Sequence, residues 1–434
     1  MHDNTKLPVV TVSRRGADRL RAGHVWVYRS DVVGADAIPP GALVSVVEER
    51  GRGARATHPS DKSARTIRGL GTAFYSTSSE IALRLISRAP VGHVDELLRE
   101  RVRAAITYRK RFVEKSNTYR VIFSEGDFLP GLIVDRYNDV LSTQVLTQAM
   151  DQEEIRELVI SELVDAFSPT AIVERVDARV RRLEELPEKE SGIVWRKKPV
   201  DDGEPGVSVP HSRQAGAPFS QDPITTEFQM NGVRFIYEAL GTQKTGAFLD
   251  QRENYAAAER YARGEALDVF CYQGGFALHL ARACEKVTGV DSSRPALEIA
   301  DRNAGLNGTE IEWIEANAFD LLRDYADSGR KYDCIVLDPP AFAKSKRDLQ
   351  TAVRGYKELN LRALKMLRPG GILVTCSCSY HVSASDLLVI LQSAAQDSHR
   401  IVRILENRGA AKDHPNVLGI PETAYLKCLI GLVS

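Results

Sequence analysis

The sequence has few cysteines, and it lacks both long apolar runs and any excess of one charge. Its six cysteines show the spacing of neither a disulfide framework nor a zinc site. A reducing, cytoplasmic location is therefore expected. No apolar run approaches the ~20 residues that a membrane-spanning helix needs. The start, MHDNTKLPVV, lacks a basic stretch followed by an apolar one, so no secretion signal is expected.

Charge is balanced overall but uneven along the chain. Lys and Arg together number 58, as do Asp and Glu, so net charge gives no support for a nucleic-acid partner. Arginines nevertheless cluster near the N-terminus at Arg14, Arg15, Arg19 and Arg21, and again along the helix predicted to begin at Val94. From composition alone, solvated helix faces are the simpler explanation.

The 434 residues suggest about three domains at roughly 150 residues each. Residues 1–88 contain short apolar runs with turn residues between them, which predicts a small β-rich module with one early helix. Residues 89–225 predict an α+β middle domain whose last part, about 186–222, lacks periodicity and is expected to be a flexible surface loop. Residues 226–434 alternate strand and helix patterns, which predicts an α/β doubly wound, Rossmann-like domain.

Two apolar runs near the C-terminus each end in reactive groups. YDCIVLDPP ends at Asp338, and GGILVTCSCS ends around Cys376 and Cys378. Ligands of open parallel sheets lie at the carboxyl ends of the strands, so a carboxylate and a thiol are expected in one pocket. That pair suggests covalent chemistry on a flat electrophilic ring. Each cysteine taken alone is more simply a small buried hydrophobic residue.

The segment ALDVFCYQGGF predicts a nucleotide-binding turn, because Gly274 and Gly275 follow a buried strand and precede a helix. A full GxGxxG is missing, which disfavours NAD. The next strand ends at Asp291, where a carboxylate can bind ribose hydroxyls. S-adenosylmethionine (SAM) carries a ribose and an adenine without phosphate, and it fits this pattern. Asp268, Asn317 and Asp338 also lie in or after successive predicted strands, as expected for one shared crevice.

Upstream of this turn, GTQKTGAFLDQREN groups Lys244, Asp250, Arg252 and Asn254. One interpretation is a cap over the amino-acid end of the cofactor, with Arg252 binding its carboxylate through two hydrogen bonds. A helix start held by local ion pairs explains the same residues equally well.

Taken together, TGAFLDQREN, DVFCYQGGF, LDPPAFAKSK and the SCS of TCSCS resemble the large-subunit ribosomal RNA cytosine-5 methyltransferases of the RlmI type. HVWVYRSDV and IALRLIS resemble the N-terminal PUA RNA-binding domain of that family. FSEGDFLPGLIVDRY resembles its middle, EEHEE-like domain. The resemblance covers nearly the whole chain, and it implies a class I SAM-dependent methyltransferase.

The resemblance implies a role for each matched residue. Cys378 falls on the nucleophile that adds to carbon-6 of cytosine, and Asp338 on the carboxyl group that bonds the ring edge, while Cys376 stays a structural residue. The predicted cofactor contacts are Phe248, Asp250, Arg252, Asp268, Phe270, Tyr272, Gly274, Asp291, Ser292, Asn317 and Asp338. The predicted RNA contacts are Arg14, Arg15, Arg19 and Lys344. Asn317 stands where the family usually has an aspartate near the adenine.

The predicted partner is RNA, and the resemblance implies 23S ribosomal RNA. Neither a membrane nor a metal is expected. A homodimer is one assembly that the sequence leaves open. Two enzyme alternatives remain at this point: SAM-dependent methylation of an exocyclic amine, and hydride transfer. DPP followed by Ala341 and Phe342 departs from the pattern common in amine methyltransferases. A non-catalytic RNA-binding factor with a decayed pocket is the alternative of another class, and it predicts no SAM binding.

Overall fold

The computed structural model describes residues 7–35, 37–48, 69–197, 224–241, 246–343 and 346–434. The chain forms two compact units, and each is discontinuous in sequence. The first unit consists of Met1–Arg111, Val121–Asp222 and Val417–Pro421, and the second of Phe112–Arg120, Pro223–Asn416 and Glu422–Ser434. Lys344, predicted to contact RNA, lies outside the described residues. The division into three domains at 88 and 225 stays a prediction.

The first unit begins with a six-stranded sheet and one early helix. These elements are β1 (Val9–Val12), α1 (Arg14–Arg21), β2 (Trp26–Tyr28), β3 (Val32–Ala35), β4 (Leu43–Glu48), β5 (Gly69–Tyr75) and β6 (Ile81–Ser87). The strand order is β2-β6-β5-β4-β1-β3. Helix α1 starts at Ser13, whose side chain accepts a hydrogen bond from the Gly16 amide, and it buries Ala17 and Leu20.

A five-stranded sheet follows, with strand order β11-β10-β9-β8-β7. Its elements are α2 (Val94–Phe112), β7 (Thr118–Phe123), β8 (Leu132–Tyr137), β9 (Val140–Val145), α3 (Glu153–Phe167), β10 (Ala171–Glu174), α4 (Ala178–Leu183) and β11 (Gly192–Arg196). Strand β11 pairs antiparallel with β10. The predicted loop at 186–222 is therefore wrong over Gly192–Arg196. At a sheet edge, ladder hydrogen bonds to one neighbour hold this strand although it has no clear apolar alternation.

The second unit opens with a hairpin of β12 (Thr225–Met230) and β13 (Val233–Glu238). The two residues between these strands are Asn231 and Gly232, with φ of 51° and 86°. Two positive φ values in a two-residue loop match a type I′ turn, whose twist suits paired strands.

The rest of the second unit alternates strands and helices. The elements are α5 (Arg252–Tyr261), β14 (Glu265–Val269), α6 (Gly275–Leu280), β15 (Lys286–Asp291), α7 (Arg294–Asn307), β16 (Glu312–Glu315), α8 (Ala318–Asp327), β17 (Tyr332–Leu337), α9 (Leu349–Met366), β18 (Leu367–Ser377), α10 (Ala384–Asp397), β19 (Val402–Arg408) and β20 (Lys427–Val433).

Its seven strands form one sheet with the order β16-β15-β14-β17-β18-β20-β19. Strand β20 pairs antiparallel with both β18 and β19, whereas the pairs from β16 to β18 are parallel. The order reverses at β14, because β15 and β17 lie on its two sides. Such a switch point opens a crevice at the carboxyl ends of the strands. The predicted α/β fold is confirmed.

The core of the second unit holds this edge in place. Buried strand residues such as Leu267, Ile335 and Leu373 pack in one cluster with Leu359 and Leu391 from helices α9 and α10. Each fully buried side chain of this size contributes roughly 1.5–3 kcal/mol relative to its exposed state. The strands are therefore fixed, and so are the residues that follow them. Within the described residues, no helix is both long and apolar enough to cross a bilayer.

Candidate active site

The described cavity at the carboxyl edge of the sheet has a volume of about 500 Å³. That volume lies within the usual range for small-molecule sites, roughly 300–1,000 Å³. It is lined by Phe248, Asp250, Gln251, Phe270, Tyr272, Asp291, Ser292, Asp338, Pro339, Pro340, Ala341, Cys378, Tyr425 and Leu426. The lining combines three aspartates with aromatic rings and one thiol. It includes no lysine or arginine from the described part of the chain.

A strained turn after β14 forms one wall of this cavity. Phe270 and Tyr272 adopt φ of 68° and 50°, a left-handed backbone that non-glycine residues rarely hold. The carboxylate of Asp291 stabilises the turn, because its Oδ2 accepts from the Tyr272 amide at 2.9 Å and its Oδ1 from the Ser293 amide at 2.9 Å. Such strain often marks a ligand site. Both oxygens keep further lone pairs for a ligand.

Asp338 follows β17 and is half-buried at the cavity wall. Its Oδ1 accepts a hydrogen bond from Nε2 of Gln251 at 2.9 Å. Burial, and secondarily the charge of Asp250, raise the pKa of Asp338 to about 7. This carboxyl group therefore changes its protonation state near neutral pH.

Cys378 follows β18, and its Sγ lies 3.9 Å from the carbonyl oxygen of Pro339. Burial raises the pKa of Cys378 to about 11, and the charges of Asp338 and Asp250 act in the same direction. The charge of Lys427 opposes them. Lys427 is buried, and its Nζ donates to the carbonyl oxygens of Ser379 and Tyr425 at 2.7 Å each. The thiol is thus neutral at pH 7 in this structure, and the charge of Lys427 favours its ionisation.

Cys376 lies elsewhere. It is fully buried in β18, opposite Cys428 of β20. Burial raises the pKa of the Cys376 thiol well above its ordinary value. This surrounding is that of a packing residue.

Four predicted cofactor residues do not line this cavity. Arg252 is 2% exposed and its NH2 group lies 3.1 Å from Oδ1 of Asp413, a buried ion pair in place of the expected ligand contact. Asp268 is fully buried and accepts from the Ala277 amide at 2.8 Å. Asn317 caps α8 by accepting from the amides of Phe319 and Asp320. Gly274, with φ of 86°, begins α6, where an added Cβ would lie 3.0 Å from the ring of Trp313.

Sequence reasoning missed several lining residues, above all Gln251, Tyr425 and Leu426. The hydroxyl of Tyr425 donates to Oδ2 of Asp250 at 2.6 Å, which orients that carboxylate. The position of Tyr425 and Leu426 just before β20 could have indicated that they line the cavity. Strand β20 runs antiparallel, so the residues before it lie at the edge where the parallel strands end.

The predicted RNA-binding arginines differ in their surroundings. Arg14 is 88% exposed on its side chain, with Asp18 at 3.7 Å. Arg15 and Arg19 instead contact buried Asp31, at 2.6 and 3.1 Å. Although burial acts against it, hydrogen bonds from Arg15 and Ser13 lower the pKa of Asp31 below its ordinary value. Two of the three arginines therefore have a structural role, whatever else they bind.

The chemistry of the lining fits SAM. Carboxylates at Asp250 and Asp338 suit a ligand with positive charge, and Asp291 suits a ribose diol. Aromatic rings at Phe248 and Tyr272 suit a cation or a flat base. A pyrophosphate would face these carboxylates without any cation from the described lining residues, so NAD fits poorly.

Comparison with known proteins agrees with this geometry. Residues 211–430 match the family model described as S-adenosylmethionine-dependent methyltransferase, and residues 10–53 match a PUA-like domain. Ribosomal RNA large subunit methyltransferase I of Tolumonas auensis is 34% identical over 94% of both chains. The protein of that name from Aeromonas hydrophila is 36% identical over 82% of this chain and 85% of its own.

A solved structure, that of a proposed SAM-dependent methyltransferase from Streptococcus mutans, has the same fold. It superposes with a TM-score of 0.74 at 16% identity, covering 98% of this chain and 100% of that one.

The sheet order, the cavity and the family match together define a SAM-dependent methyltransferase with a PUA-like N-terminal module. The predicted cofactor is thereby confirmed. At 32–36% identity over most of its length, the chain belongs to the ribosomal RNA large subunit methyltransferase I family.

Proposed function

We propose that this enzyme methylates carbon-5 of a cytosine in large-subunit ribosomal RNA through a covalent adduct with Cys378. The observation that carries the proposal is the presence of Cys378 and Asp338 in one cavity, at the ends of the neighbouring strands β17 and β18. The activity for which these relatives are named, methylation of large-subunit ribosomal RNA, supports ribosomal RNA as the substrate.

The residues around the cavity divide into a cofactor side and a substrate side. Asp291 and Ser292 would hold the ribose, and Phe248, Tyr272 and Asp250 would surround the methionine end. When bound, SAM supplies an electrophilic methyl group, which carbon-5 accepts as S-adenosylhomocysteine leaves. Pro339, Pro340 and Ala341 line the same cavity as Cys378 and would contact the target base.

Carbon-5 of cytosine is a weak nucleophile, and addition of a thiolate to carbon-6 makes it nucleophilic enough to accept a methyl group. The Cys378 thiol loses its proton to solvent, and a bond forms between Sγ and carbon-6. The electron pair of the C5–C6 double bond becomes the C4–C5 double bond, and the C4–N3 pair moves to N3, which takes a proton from Asp338. The C4–C5 electron pair then forms the bond to the methyl carbon, and the N3 pair restores the C4–N3 double bond. The carbon-5 proton leaves to water, its bonding pair restores the C5–C6 double bond as the C6–S bond breaks to release the thiolate, and N3 returns its proton to Asp338.

The electrostatics of the site control when the thiolate forms. The pKa of Cys378, at about 11, keeps the thiol protonated and so resistant to oxidation. Burial is the main cause of this rise, and a cationic ligand beside Asp250 would offset the smaller part that comes from the charge of that carboxylate. The charge of Lys427, whose own pKa burial lowers to about 8, also favours the thiolate. Nucleophile activation would thus follow ligand binding.

Recognition of RNA would use the first unit. A base buried this deeply has to leave its stack before it reaches the thiol. The exposed Arg14 is suited to a phosphate contact, which positions RNA without reading its sequence.

Two measurements test the proposal. Ribosomal RNA from cells with and without the gene is mapped for 5-methylcytosine, and one position is expected to lose the modification. A fragment of that RNA with 5-fluorocytidine at the mapped position is then incubated with enzyme and SAM. Fluorine blocks loss of the carbon-5 substituent, so a stable protein–RNA adduct is expected for the parent and for Cys376→Ala. None is expected for Cys378→Ala.

An adduct that forms equally well without Cys378 would remove this nucleophile from the scheme. Methylation of an exocyclic amine would give a different product by mass spectrometry and no adduct with any variant. Failure of calorimetry to detect SAM binding would favour a non-catalytic RNA-binding factor.

A further inference from the structure

A buried chain of hydrogen bonds lies behind Asp338. Nε2 of Gln251 donates to Oδ1 of Asp338 at 2.9 Å, and Oε1 of the same glutamine accepts from Nδ2 of Asn254 at 2.7 Å. Oδ1 of Asn254 accepts from Nε of Arg408 at 2.8 Å. Gln251 and Asn254 are 2% and 1% exposed, so this is an interior network.

The hydrogen bonds of this network can run in only one direction, from donor to acceptor, starting at Arg408. A guanidinium group donates and never accepts, so the oxygen of Asn254 faces Arg408. The nitrogen of Asn254 then donates both to Gln251 and to the carbonyl oxygen of Gly409, at 3.1 Å. If the Asn254 amide were flipped, its N–H group would face the N–H group of Arg408, and its oxygen would face the carbonyl oxygen of Gly409.

The orientation of the Asn254 amide fixes that of the Gln251 amide. Its oxygen is held by Asn254, so its nitrogen is the group that faces Asp338. Oδ1 of Asp338 is therefore an acceptor in every protonation state of that carboxyl. When Asp338 carries a proton, the proton sits on Oδ2.

Arg408, where this hydrogen-bond network starts, is itself held in place by its neighbours. Its NH1 group forms an ion pair with Glu406, and its NH2 group donates to the Glu253 carbonyl at 3.4 Å. Glu406 also accepts from Tyr261 at 2.7 Å and from Arg260 at 2.9 Å. A network satisfied at each step is more rigid than its separate bonds suggest.

We propose that Gln251 and Asn254 are positioning residues that keep the proton of Asp338 on Oδ2 and thereby select cytosine over uracil. The proposal rests on the function proposed above. N3 of cytosine accepts a hydrogen bond, whereas N3 of uracil carries a hydrogen and donates. In its protonated form, the form that the addition step needs, a carboxyl whose second oxygen is already engaged offers one donor to the ring, which matches cytosine and opposes uracil at this position.

The same arrangement serves the addition step. As Sγ of Cys378 bonds to carbon-6, the proton on Oδ2 transfers to N3, and the electron pair displaced from the ring is neutralised there. A proton held on Oδ1 would face Gln251 and be unavailable. The hydrogen-bond network from Arg408 thus acts on the reaction through Asp338.

Asn254→Asp is the sharpest test, because it keeps the shape and the contact with Arg408 but replaces the amide that donates to Gln251 and to the Gly409 carbonyl with an acceptor. Gln251 must then turn its nitrogen toward residue 254 and its oxygen toward Asp338. The proton of Asp338 moves to Oδ1, and Oδ2 becomes an acceptor. Single-turnover methylation is expected to fall ~100-fold, the usual effect of losing a positioned acid. The preference for cytosine over uracil at the mapped position, scored by adduct formation with 5-fluoro bases, is expected to be lost as well.

Asn303→Asp is the matched control. Asn303 is equally buried in the second unit, and its side chain bonds the Ile236 amide and the Gln273 carbonyl. Its substitution places a carboxyl in a similar interior position without touching the chain to Asp338. Circular dichroism melts of both variants report their folding. The control is expected to keep the parental base preference.

If Asn254→Asp does not fold, Gln251→Met replaces it as the test. That variant removes the donor to Asp338, so the high-pH limb of the rate profile, where Asp338 ionises, is expected to move up by roughly one pH unit. Parental base preference and an unshifted profile in a folded variant would overturn the positioning role. Absence of the adduct in the parent enzyme would instead defeat the covalent mechanism, so the two failures are distinct.

Discussion

The carboxyl edge of the second unit's sheet and the N-terminal helix of the first show two ways in which polar residues cluster. At the sheet edge, Asp338 and Cys378 come from separate parts of the chain and face one cavity. On helix α1, Arg15 and Arg19 lie about one helical turn apart, and both contact buried Asp31. Parallel topology brings chemistry together across long sequence distances, whereas local clustering of charge on a helix is often structural.

The largest expected effect tests the sheet edge. Cys378→Ala should lower single-turnover methylation by roughly 10⁴-fold or more, as loss of a covalent nucleophile does. Cys376→Ala, two residues away on the buried face of β18, should stay within ~10-fold of the parent. Labelled SAM and the mapped RNA fragment give the measurement. Comparable losses in the two variants would mean that position along the strand does not separate their roles.

Arg252 tests whether a residue expected at the ligand belongs to the core. Arg252→Ala leaves Asp413 charged and buried without this partner, so the free energy of unfolding should fall by about 3–5 kcal/mol. The exposed Arg294, at 72%, provides a control whose alanine variant should change stability by less than ~0.5 kcal/mol. Urea unfolding measures both. A stable Arg252→Ala protein with weakened SAM binding would restore the ligand role.

Asp338 tests the electrostatics of the cavity through pH. Its pKa is raised from 3.8 to about 7, so the protonated form is the one that folding favours. This stabilisation is complete below about pH 4 and is lost as the pH rises through about 7. Asn at this position stays neutral and can still accept from Gln251.

Asp338→Asn should therefore gain on the order of 2 kcal/mol relative to the parent between about pH 4 and pH 8, allowing for partial exposure. Urea unfolding of both proteins across this range is the measurement. A constant difference between the two proteins would show that the carboxyl is not desolvated.

The smallest expected effects separate the arginines of helix α1. Arg14→Ala in the full-length protein should weaken RNA binding and lower the salt dependence of log K by roughly 0.7–0.9, the value for one phosphate contact. Arg19→Ala should mainly cost about 1 kcal/mol of stability, because it removes one partner of Asp31. Titrations at several salt concentrations, with melts alongside, distinguish the two. An identical salt slope for Arg14→Ala would place RNA elsewhere.

Much of the fold was accessible from sequence, for identifiable reasons. Buried parallel strands are continuous apolar runs, so β14, β17 and β18 stand out. The hairpin around Asn231–Gly232 was missed, although an Asn-Gly pair between alternating residues is a strong hairpin signal. Strand β11 was missed because its hydrogen bonds to β10, and not an apolar pattern, define it.

The site was accessible where strand ends alone decide position, as for Asp291, Asp338 and Cys378. It was not accessible where a partner decides orientation. Asp413 lies far from Arg252 in sequence, and nothing local announces that the two form a buried pair. Asn317 looked like a ligand because it follows a strand, but the same residue type at the start of a helix is a preferred cap.

The interrupted path of the chain between its units affects how the protein can be divided. Severing it at 222/223 would leave Arg120, whose backbone N–H reaches Asp413 at 2.9 Å, on the other fragment. Asn117, bonded to Gln229 at 3.1 Å, would go with it. The C-terminal half would in turn carry away Val417–Pro421. Halves made this way should fold only when co-expressed, and a stand-alone catalytic piece would need the 112–120 segment grafted back.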